Sequence, residues 1–267
     1  MASSSDANCY VYQFDDTFIL VDAGLSYRKI IEKLEEFGLS ISDISFVLIT
    51  HQHSDHSKAI DQIIKSTNLS VYCLKNPKKF KGTKVMDENY KINEVNIDVI
   101  KTSHDIEGAC GFLFTFKDKK ILHITDNGYI NKYISSVSSN CHAYLIESNY
   151  DNELIIENDV YPVHVKKRII SKKGHLSNED CNQFLIDNIG DNTKYILFAH
   201  LSSNNNKHSI VDEVNKNIKG INKVILKKDE TVKVEIYASW FNCRWKIKLK
   251  WSYKCIKRLS NQNIFFC

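Results

Sequence analysis

The chain has 267 residues, of which 43% are hydrophobic and 25% are charged, with 36 Lys and Arg against 32 Asp and Glu. This composition excludes a wholly disordered or collagen-like chain, and the length is enough for one large domain or two small ones. No apolar run approaches the roughly 20 residues that span a bilayer, and the first residues show no signal peptide. The sequence therefore predicts a cytoplasmic protein with no membrane partner.

The positive charge is concentrated at the C-terminal end. The net charge is +4, yet residues 239–267 contain seven basic residues and no acidic one, which leaves residues 1–238 at −3. All three Trp also lie in this segment. We therefore predict a domain of residues 1–238 and a basic aromatic tail of residues 239–267. Alternating Lys and aromatic residues suit nucleic-acid binding, but they also fit an added edge strand, a homodimer contact or a non-native reading frame.

The eight cysteines do not form a disulfide pattern. They are scattered and include no CxxC pair, so we expect reduced thiols that act as small core residues. The positions are Cys9, Cys73, Cys110, Cys141, Cys181, Cys243, Cys255 and Cys267.

Strand patterns alternate with helical patterns along the chain. The first two strands form a hairpin around the Asp15-Asp16 turn, and Ser26 caps the first helix. Further helices are predicted at residues 58–66, 162–171, 178–188 and 207–217. Strands are predicted at residues 9–14, 17–22, 44–50, 70–73, 97–102, 111–117, 120–125, 142–146, 194–199, 223–227 and 232–237. This alternation predicts a layered α/β domain with mixed sheets.

The strongest functional signal is His51-Gln-His53-Ser-Asp55-His56, directly after the predicted strand at residues 44–50. Residues two apart on an extended backbone point the same way, so His51 and His53 can share one cation. Asp55 and His56 lie where the chain turns into a helix, and they can face a second cation. Imidazole and carboxylate ligands suit zinc, and also manganese or iron.

Further ligands are expected at the ends of other predicted strands, where loops gather. His104, Asp126 and His200 each follow such a strand. Taken singly, each is an ordinary loop residue. Together with the first cluster they complete a set for two divalent metal ions (Zn or Mn): one ion is held by His51, His53 and His104, the other by Asp55, His56 and His200, and Asp126 bridges them.

This order of ligands resembles that of the metallo-β-lactamase superfamily. Within it, the Ser-rich start, Val21-Asp-Ala-Gly-Leu-Ser26, Gly174-His-Leu-Ser-Asn178 and Ile146-Glu-Ser-Asn149 are similar to the YycJ/WalJ-like branch. The resemblance covers about residues 2–237. It implies an αββα sandwich of two mixed sheets with the metals at one sheet edge. Relatives begin with an extra strand before the Ser-rich turn, so a truncated or differently built sheet edge is expected here.

The resemblance also implies a function. The branch is regarded as DNA exonucleases or general phosphodiesterases, related to tRNA 3′-processing nucleases. We therefore expect a dinuclear metal-dependent phosphodiesterase that acts on DNA ends by metal-hydroxide attack. A phosphodiesterase of cyclic nucleotides or other small phosphodiesters is the main alternative. A metal-stabilised interaction module without catalytic activity is a third reading.

Several residues beyond the ligand set are candidates for this chemistry. Asp55 is counted among the catalytic residues as well as the ligands, and Asp22 is expected to orient a ligand histidine. His175 is expected to protonate the leaving oxygen, with Glu147 orienting it, although His175 can equally belong to a helix start that Ser177 caps. The candidate substrate contacts are Ser177, Ser202, Asn204 and Asn205.

Overall fold

A computed structural model describes residues 2–4, 7–75, 80–226, 230–236 and 246–251. Its strands, in chain order, are β1 (Ala2–Ser4), β2 (Ala7–Phe14), β3 (Thr17–Val21), β4 (Phe46–Ile49), β5 (Val71–Cys73), β6 (Lys84–Val85), β7 (Asn89–Ile92), β8 (Val95–Lys101), β9 (Cys110–Phe116), β10 (Lys119–Ile124), β11 (Ala143–Glu147), β12 (Tyr195–Ala199), β13 (Asn222–Ile225), β14 (Glu230–Val234) and β15 (Lys246–Trp251). The helices are α1 (Tyr27–Glu35), α2 (Ser54–Ser57), α3 (Ile60–Ser66), α4 (Lys132–Ser138), α5 (Asn152–Glu157), α6 (Val163–Ile170), α7 (Asn178–Asn188) and α8 (His208–Val214).

The strands form two mixed sheets. The first has the order β14-β15-β2-β3-β4-β5-β6, with β1 also paired to β2. The second has the order β13-β12-β11-β10-β9-β8-β7. In each sheet an antiparallel half joins a parallel half. The parallel pairs β3–β4, β4–β5, β10–β11, β11–β12 and β12–β13 are connected through helices, as the crossover rule for parallel strands requires.

The side-chain alternation of the strands explains why the sheets stack. On β2, Tyr10, Tyr12 and Phe14 enter the core between the two sheets, whereas Cys9 and Val11 enter a second core beside α1 and α3. The second sheet divides its residues in the same way, placing those of its outer face in a third core with α4, α7 and α8. Three cores between four layers confirm the expected αββα sandwich of two mixed sheets.

The C-terminal segment contributes a strand inside the first sheet. β15 pairs antiparallel with β2 on one side and with β14 on the other. The edge-strand reading is therefore wrong for β15, because Ile247 and Lys248 pair with β2 on one side and with β14 on the other. Trp240, Trp245 and the residues after 251 lie outside the described part of the chain, as do Cys243, Cys255 and Cys267.

Two different strands, β1 and β15, pair with the same side of β2. β1 pairs with the first residues of β2, and β15 pairs with β2 residues further along, Val11 to Gln13. Both lie on the side of β2 opposite to β3. β1 thus covers the first residues of β2 on this side, and β15 covers the later ones.

Most elements that the sequence predicts are confirmed, including the hairpin and the Ser26 cap, whose side chain accepts from the Lys29 amide. The helix predicted at residues 58–66 is α3, which begins two residues later, at Ile60. α2, α4, α5, β1, β6 and β7 have no counterpart in the sequence-based prediction. The five cysteines in the described residues are free and buried, as expected. Among the described helices, none has both the length and the apolar character to cross a membrane.

Candidate metal centre

The ends of strands from both sheets meet at one edge of the sandwich. Six chemically important residues either close a strand or follow one within three residues, so the sheets themselves fix where these side chains begin. These residues are Asp22 after β3, His51 after β4, His104 after β8, Asp126 after β10, Glu147 at the end of β11 and His200 after β12.

Three of these residues have an unusual backbone. Asp22, Asp126 and His200 have φ values of 58°, 52° and 56°, in the left-handed region that non-glycine residues rarely occupy. All three are buried. Such strain persists only where surrounding contacts hold it, and it concentrates at functional sites. Here it turns each side chain back towards the common edge.

The turn at residues 51–56 is held by its neighbours. His53 is the N-cap of α2, and the Ser57 hydroxyl donates to the His53 carbonyl at 2.8 Å. The Ala23 amide donates to the His56 carbonyl at 2.7 Å. A Cβ atom at Gly24 would lie 1.6 Å from the Asp55 carbonyl oxygen, so only glycine permits this approach.

Three imidazoles converge in the first group of ligands. His53 Nδ1 lies 3.0 Å from His51 Nε2 and 3.3 Å from His104 Nε2. Three ring nitrogens that face one another cannot all be joined by hydrogen bonds between themselves, whereas one cation accepts a lone pair from each. The arrangement therefore fits a metal ion.

The second group combines imidazoles with carboxylates. His56 Nε2 lies 3.2 Å from Asp55 Oδ2 and 3.0 Å from Asp126 Oδ2. His200 Nε2 lies 3.6 Å from Asp55 Oδ2 and 3.5 Å from Asp126 Oδ1. Since Asp126 Oδ1 is also 3.6 Å from His104 Nε2, this carboxylate stands between the two groups.

The far ring nitrogens fix the tautomers. The Nδ1 atoms of His56, His104 and His200 face Asp22 (2.7 Å), the Gly174 carbonyl (3.1 Å) and Glu147 (2.8 Å). Because these oxygens only accept, each Nδ1 donates. Each Nε2 can then offer its lone pair to the centre, as metal-ligating histidines do.

The pKa shifts show that the carboxylates require positive charge beside them. Burial lowers the pKa of His56, but the charges of Asp126 and Asp22 outweigh it and raise the pKa well above its usual range. At His200, burial is likewise outweighed, chiefly by Asp126, and the pKa is raised to about 10. For Asp126 the balance runs the other way: burial raises its pKa, yet His200 and His56 hold it well below normal. Protons on the imidazoles thus supply the charge that a metal ion would bring.

Glu147 connects the ligand cluster to His175. Its Oε1 accepts from His175 Nδ1 at 2.7 Å and from His200 Nδ1 at 2.8 Å, while its Oε2 accepts from the Asn127 and Leu176 amides. Burial alone would raise the pKa of Glu147, but the two histidines lower it to about 2. Burial lowers the pKa of His175, and Glu147 reverses this and raises it. A charged pair therefore lies at the edge of the cluster.

A cleft opens onto this cluster. It is lined by ligand residues from both groups together with His175 and one arginine: His53, Ser54, Asp55, His104, Asp126, Arg168, His175 and His200.

The residues predicted to contact substrate are mostly engaged elsewhere. Ser177 is buried and caps α7 through the Asp180 amide, which fits the structural reading of this turn. Asn205 is fully buried and accepts from Asn158, so it cannot reach a substrate in this structure. Ser202 is buried and accepts from the Asn205 amide, and Asn204 donates to the Tyr161 hydroxyl. None of the four lines the cleft described above.

Three residues near the ligands, Asn8, Asp105 and Arg168, are not among the candidates predicted from the sequence. The side-chain nitrogen of Asn8, Nδ2, lies 2.9 Å from His56 Nε2. Asp105 Oδ1 lies 3.6 Å from His53 Nε2 and is held by Arg168. Asp105 directly follows His104, so its position in the sequence was a usable signal. For Arg168, 63 residues further along, the local sequence offers none.

The description of the family model that matches residues 5–128 is the metallo-beta-lactamase superfamily. The chain is also 32% identical over 220 residues to the exodeoxyribonuclease WalJ of Streptococcus pneumoniae, with 77% of this chain and 81% of the relative covered. The chain therefore belongs to the metallo-beta-lactamase superfamily and is a metal-dependent hydrolase.

Other relatives agree on family and fold. The exodeoxyribonuclease YycJ of Bacillus anthracis is 32% identical, with 77% of this chain and 82% of the relative covered. Among solved structures, the metallo-beta-lactamase fold protein YhfI of Bacillus subtilis gives a TM-score of 0.61 at 17% identity. That comparison covers 85% of this chain and 89% of YhfI, and it shows the shared fold.

Proposed function

We propose that this chain is an exonuclease that acts on DNA ends and uses two divalent metal ions, Zn²⁺ or Mn²⁺. Two relatives that match it over most of their length carry the name exodeoxyribonuclease. His51, His53 and His104 would hold one ion, Asp55, His56 and His200 the other, and Asp126 would lie between them. When bound, such ions supply Lewis acidity and lower the pKa of a coordinated water.

The Glu147–His175 pair is the observation that best supports a phosphodiester substrate. A phosphodiester that is cleaved releases an alkoxide, which needs a proton. His175 lines the cleft, its Nδ1 is bound to Glu147, and its ring centre is 5.3 Å from that of His104. The other ring nitrogen is then available to donate a proton to a leaving oxygen in the cleft. Glu147 holds the ring and favours its protonated form.

The remaining residues of the site orient the ligands. Asp22 fixes His56 through Nδ1, and Glu147 fixes His200 in the same way. Asp55 lines the cleft, whereas His56 is fully buried. Substrate therefore approaches from the side of His53, Asp55 and His175.

His175→Ala tests this assignment. The variant should lower turnover of end-labelled DNA by about 100-fold or more, the usual contribution of general acid catalysis, while its metal content stays that of the wild type. His164→Ala is the matched control, because His164 is an exposed histidine on α6. Turnover of DNA by His175→Ala at the wild-type rate would contradict the proposed role.

The substrate class is tested on the wild-type enzyme with added Mn²⁺ or Zn²⁺. We expect end-labelled DNA to be shortened from its ends and cyclic nucleotides to remain intact. Hydrolysis of cyclic nucleotides without digestion of DNA would instead establish a small-molecule phosphodiesterase. Metal binding without hydrolysis of either substrate would establish an interaction module.

A further inference from the structure

We propose that residues 166–173, the basic segment, together with Tyr129 form the binding track for the single-stranded nucleic acid that leads into the cleft. This inference rests on the proposed nuclease function and adds where the strand beyond the scissile phosphate is held. It concerns the C-terminal half of α6 and the turn that follows.

The basic segment has the charge of a phosphate-binding surface. It contains Lys166, Lys167, Arg168, Lys172 and Lys173 and no acidic residue. Residues 1–238 carry a net charge of −3, so the basic segment is a local concentration of positive charge in a domain that is negative as a whole. Lys167, Arg168, Lys172 and Lys173 are exposed. Their ammonium and guanidinium groups can therefore reach a polyanion in solvent.

The basic segment is fixed to the loops that carry the metal ligands. The Lys172 carbonyl accepts from the hydroxyl of Ser103, which precedes His104, at 2.7 Å. A Cβ at Gly128, two residues after Asp126, would lie 2.4 Å from the same carbonyl, so the two backbones are in close contact. The segment then runs through Gly174 directly into His175. Its position relative to the cleft is thus set by backbone contacts.

Arg168 joins the segment to the cleft itself. Its side chain lines the cleft and is 61% exposed. Nε and one terminal nitrogen contact Asp105 Oδ2, which leaves the other terminal nitrogen with its two N–H groups for a ligand. A phosphate oxygen in the cleft can accept a charge-assisted hydrogen bond from this nitrogen.

Tyr129 supplies a surface for a base. It follows Asp126 by three residues and is 41% exposed, and Lys172 Nζ lies 5.6 Å from the centre of its ring. Aromatic faces beside lysines are the elements that bind single strands, because every base can stack and every nucleotide carries a phosphate. A duplex hides its base faces, so this combination favours a single-stranded end.

Binding measured in a chelator tests the track apart from catalysis. The probe is a fluorescein-labelled oligothymidylate of about 15 nucleotides, long enough for a typical single-strand site. The track variant is Lys167→Gln/Lys172→Gln/Lys173→Gln. The matched control is Lys65→Gln/Lys91→Gln/Lys219→Gln, three exposed lysines near the opposite ends of the strands. We expect the track variant to bind at least about tenfold more weakly, and its slope of log affinity against log salt to be smaller by about 2, since each single-strand phosphate contact contributes about 0.7.

A small chromogenic diester, bis(p-nitrophenyl) phosphate, separates this inference from the proposed function. The track variant should hydrolyse it at the wild-type rate while its KM for the oligonucleotide rises. Tyr129→Ala should weaken binding of the oligothymidylate and leave binding of a duplex of the same length unchanged. Equal affinity of the track variant and the wild type, or an equal loss in the control, would overturn the track. If wild-type enzyme hydrolyses neither DNA nor the small diester, the nuclease proposal fails even where the binding difference remains.

Discussion

At the residue scale, Asp22 shows how one buried side chain serves two purposes. Its carboxylate accepts from the Thr50 amide at 2.8 Å, which ties the end of β3 to the end of β4, and it accepts from His56 Nδ1 at 2.7 Å. Burial raises the pKa of Asp22, with His56 and Thr50 opposing this. The residue is therefore expected to matter for metal affinity through the orientation and basicity of His56.

Asp22→Asn should lower metal affinity by about 10- to 100-fold, as is usual when the partner of a metal-bound histidine is changed. Asparagine tolerates the left-handed backbone at this position, so the change removes charge with little added strain. Titration of the apoprotein with Zn²⁺, followed by calorimetry, measures the effect. Asp15→Asn is the control, because Asp15 also has a positive φ (48°) and lies in the exposed hairpin turn. Wild-type affinity in Asp22→Asn would show that Asp22 is only a structural link.

At the element scale, the contact between the loop after β3 and α2 decides the shape of the centre. Gly24 lies at this contact, and its amide donates to the Asn8 carbonyl at 2.8 Å, so that β2 takes part as well. A periodic pattern of apolar residues predicts individual strands such as β2 and β3, and individual helices, each from its own residues. It cannot predict how closely their loops approach, because that distance depends on long-range packing.

Gly24→Ala should destabilise the apoprotein by more than about 3 kcal/mol, since the added methyl group overlaps backbone atoms that cannot move independently. Urea unfolding with a chelator present measures this. Gly38→Ala is the matched control: Gly38 has φ 67° with no atom within 4 Å of an added Cβ, so only about 1 kcal/mol of backbone strain is expected. Equal losses for the two variants would contradict the steric explanation.

At the scale of the whole molecule, the core between the sheets contains an ionisable group. His123 is fully buried, its Nδ1 lies 2.7 Å from the Tyr12 hydroxyl, and burial lowers its pKa to about 3. An unfolded histidine titrates near 6.5. Between these values the unfolded chain binds a proton that the folded chain does not. Stability contributed by this difference is therefore complete well above pH 6.5 and is lost as the pH falls towards 3.

Replacing His123 by Asn should flatten the acid dependence of stability. From pH 7 to pH 5, the free energy of unfolding should fall by about 2 kcal/mol more in the wild type than in His123→Asn, the value that linkage gives for one histidine kept neutral in the fold. Urea titrations at both pH values, with a chelator present, measure the difference. His164→Asn changes an exposed helix residue and should keep the wild-type dependence. Parallel curves for wild type and His123→Asn would show that His123 titrates normally.

The sequence by itself determined the class of fold and the ligand candidates. Strand and helix periods reflect burial on one or two faces, and the motif at residues 51–56 is local, so both can be read from neighbouring residues. His104, Asp126 and His200 were found because each lies shortly after a predicted strand. The same rule predicted Ser202, Asn204 and Asn205 near the site. In the structure Asn204 and Asn205 are hydrogen-bonded to Tyr161 and Asn158, between α5 and α6, and Ser202 is hydrogen-bonded to Asn205.

Only the tertiary structure decided the rest. It joined Glu147 to His200, brought Arg168 to Asp105, and docked residues 166–173 on the loops of His104 and Asp126. It also paired β15 on both sides, although the alternating sequence there fits an edge equally well. These contacts join residues far apart in the chain. The physical reason is that such pairs depend on the stacking of two sheets, which a local pattern of side chains does not specify.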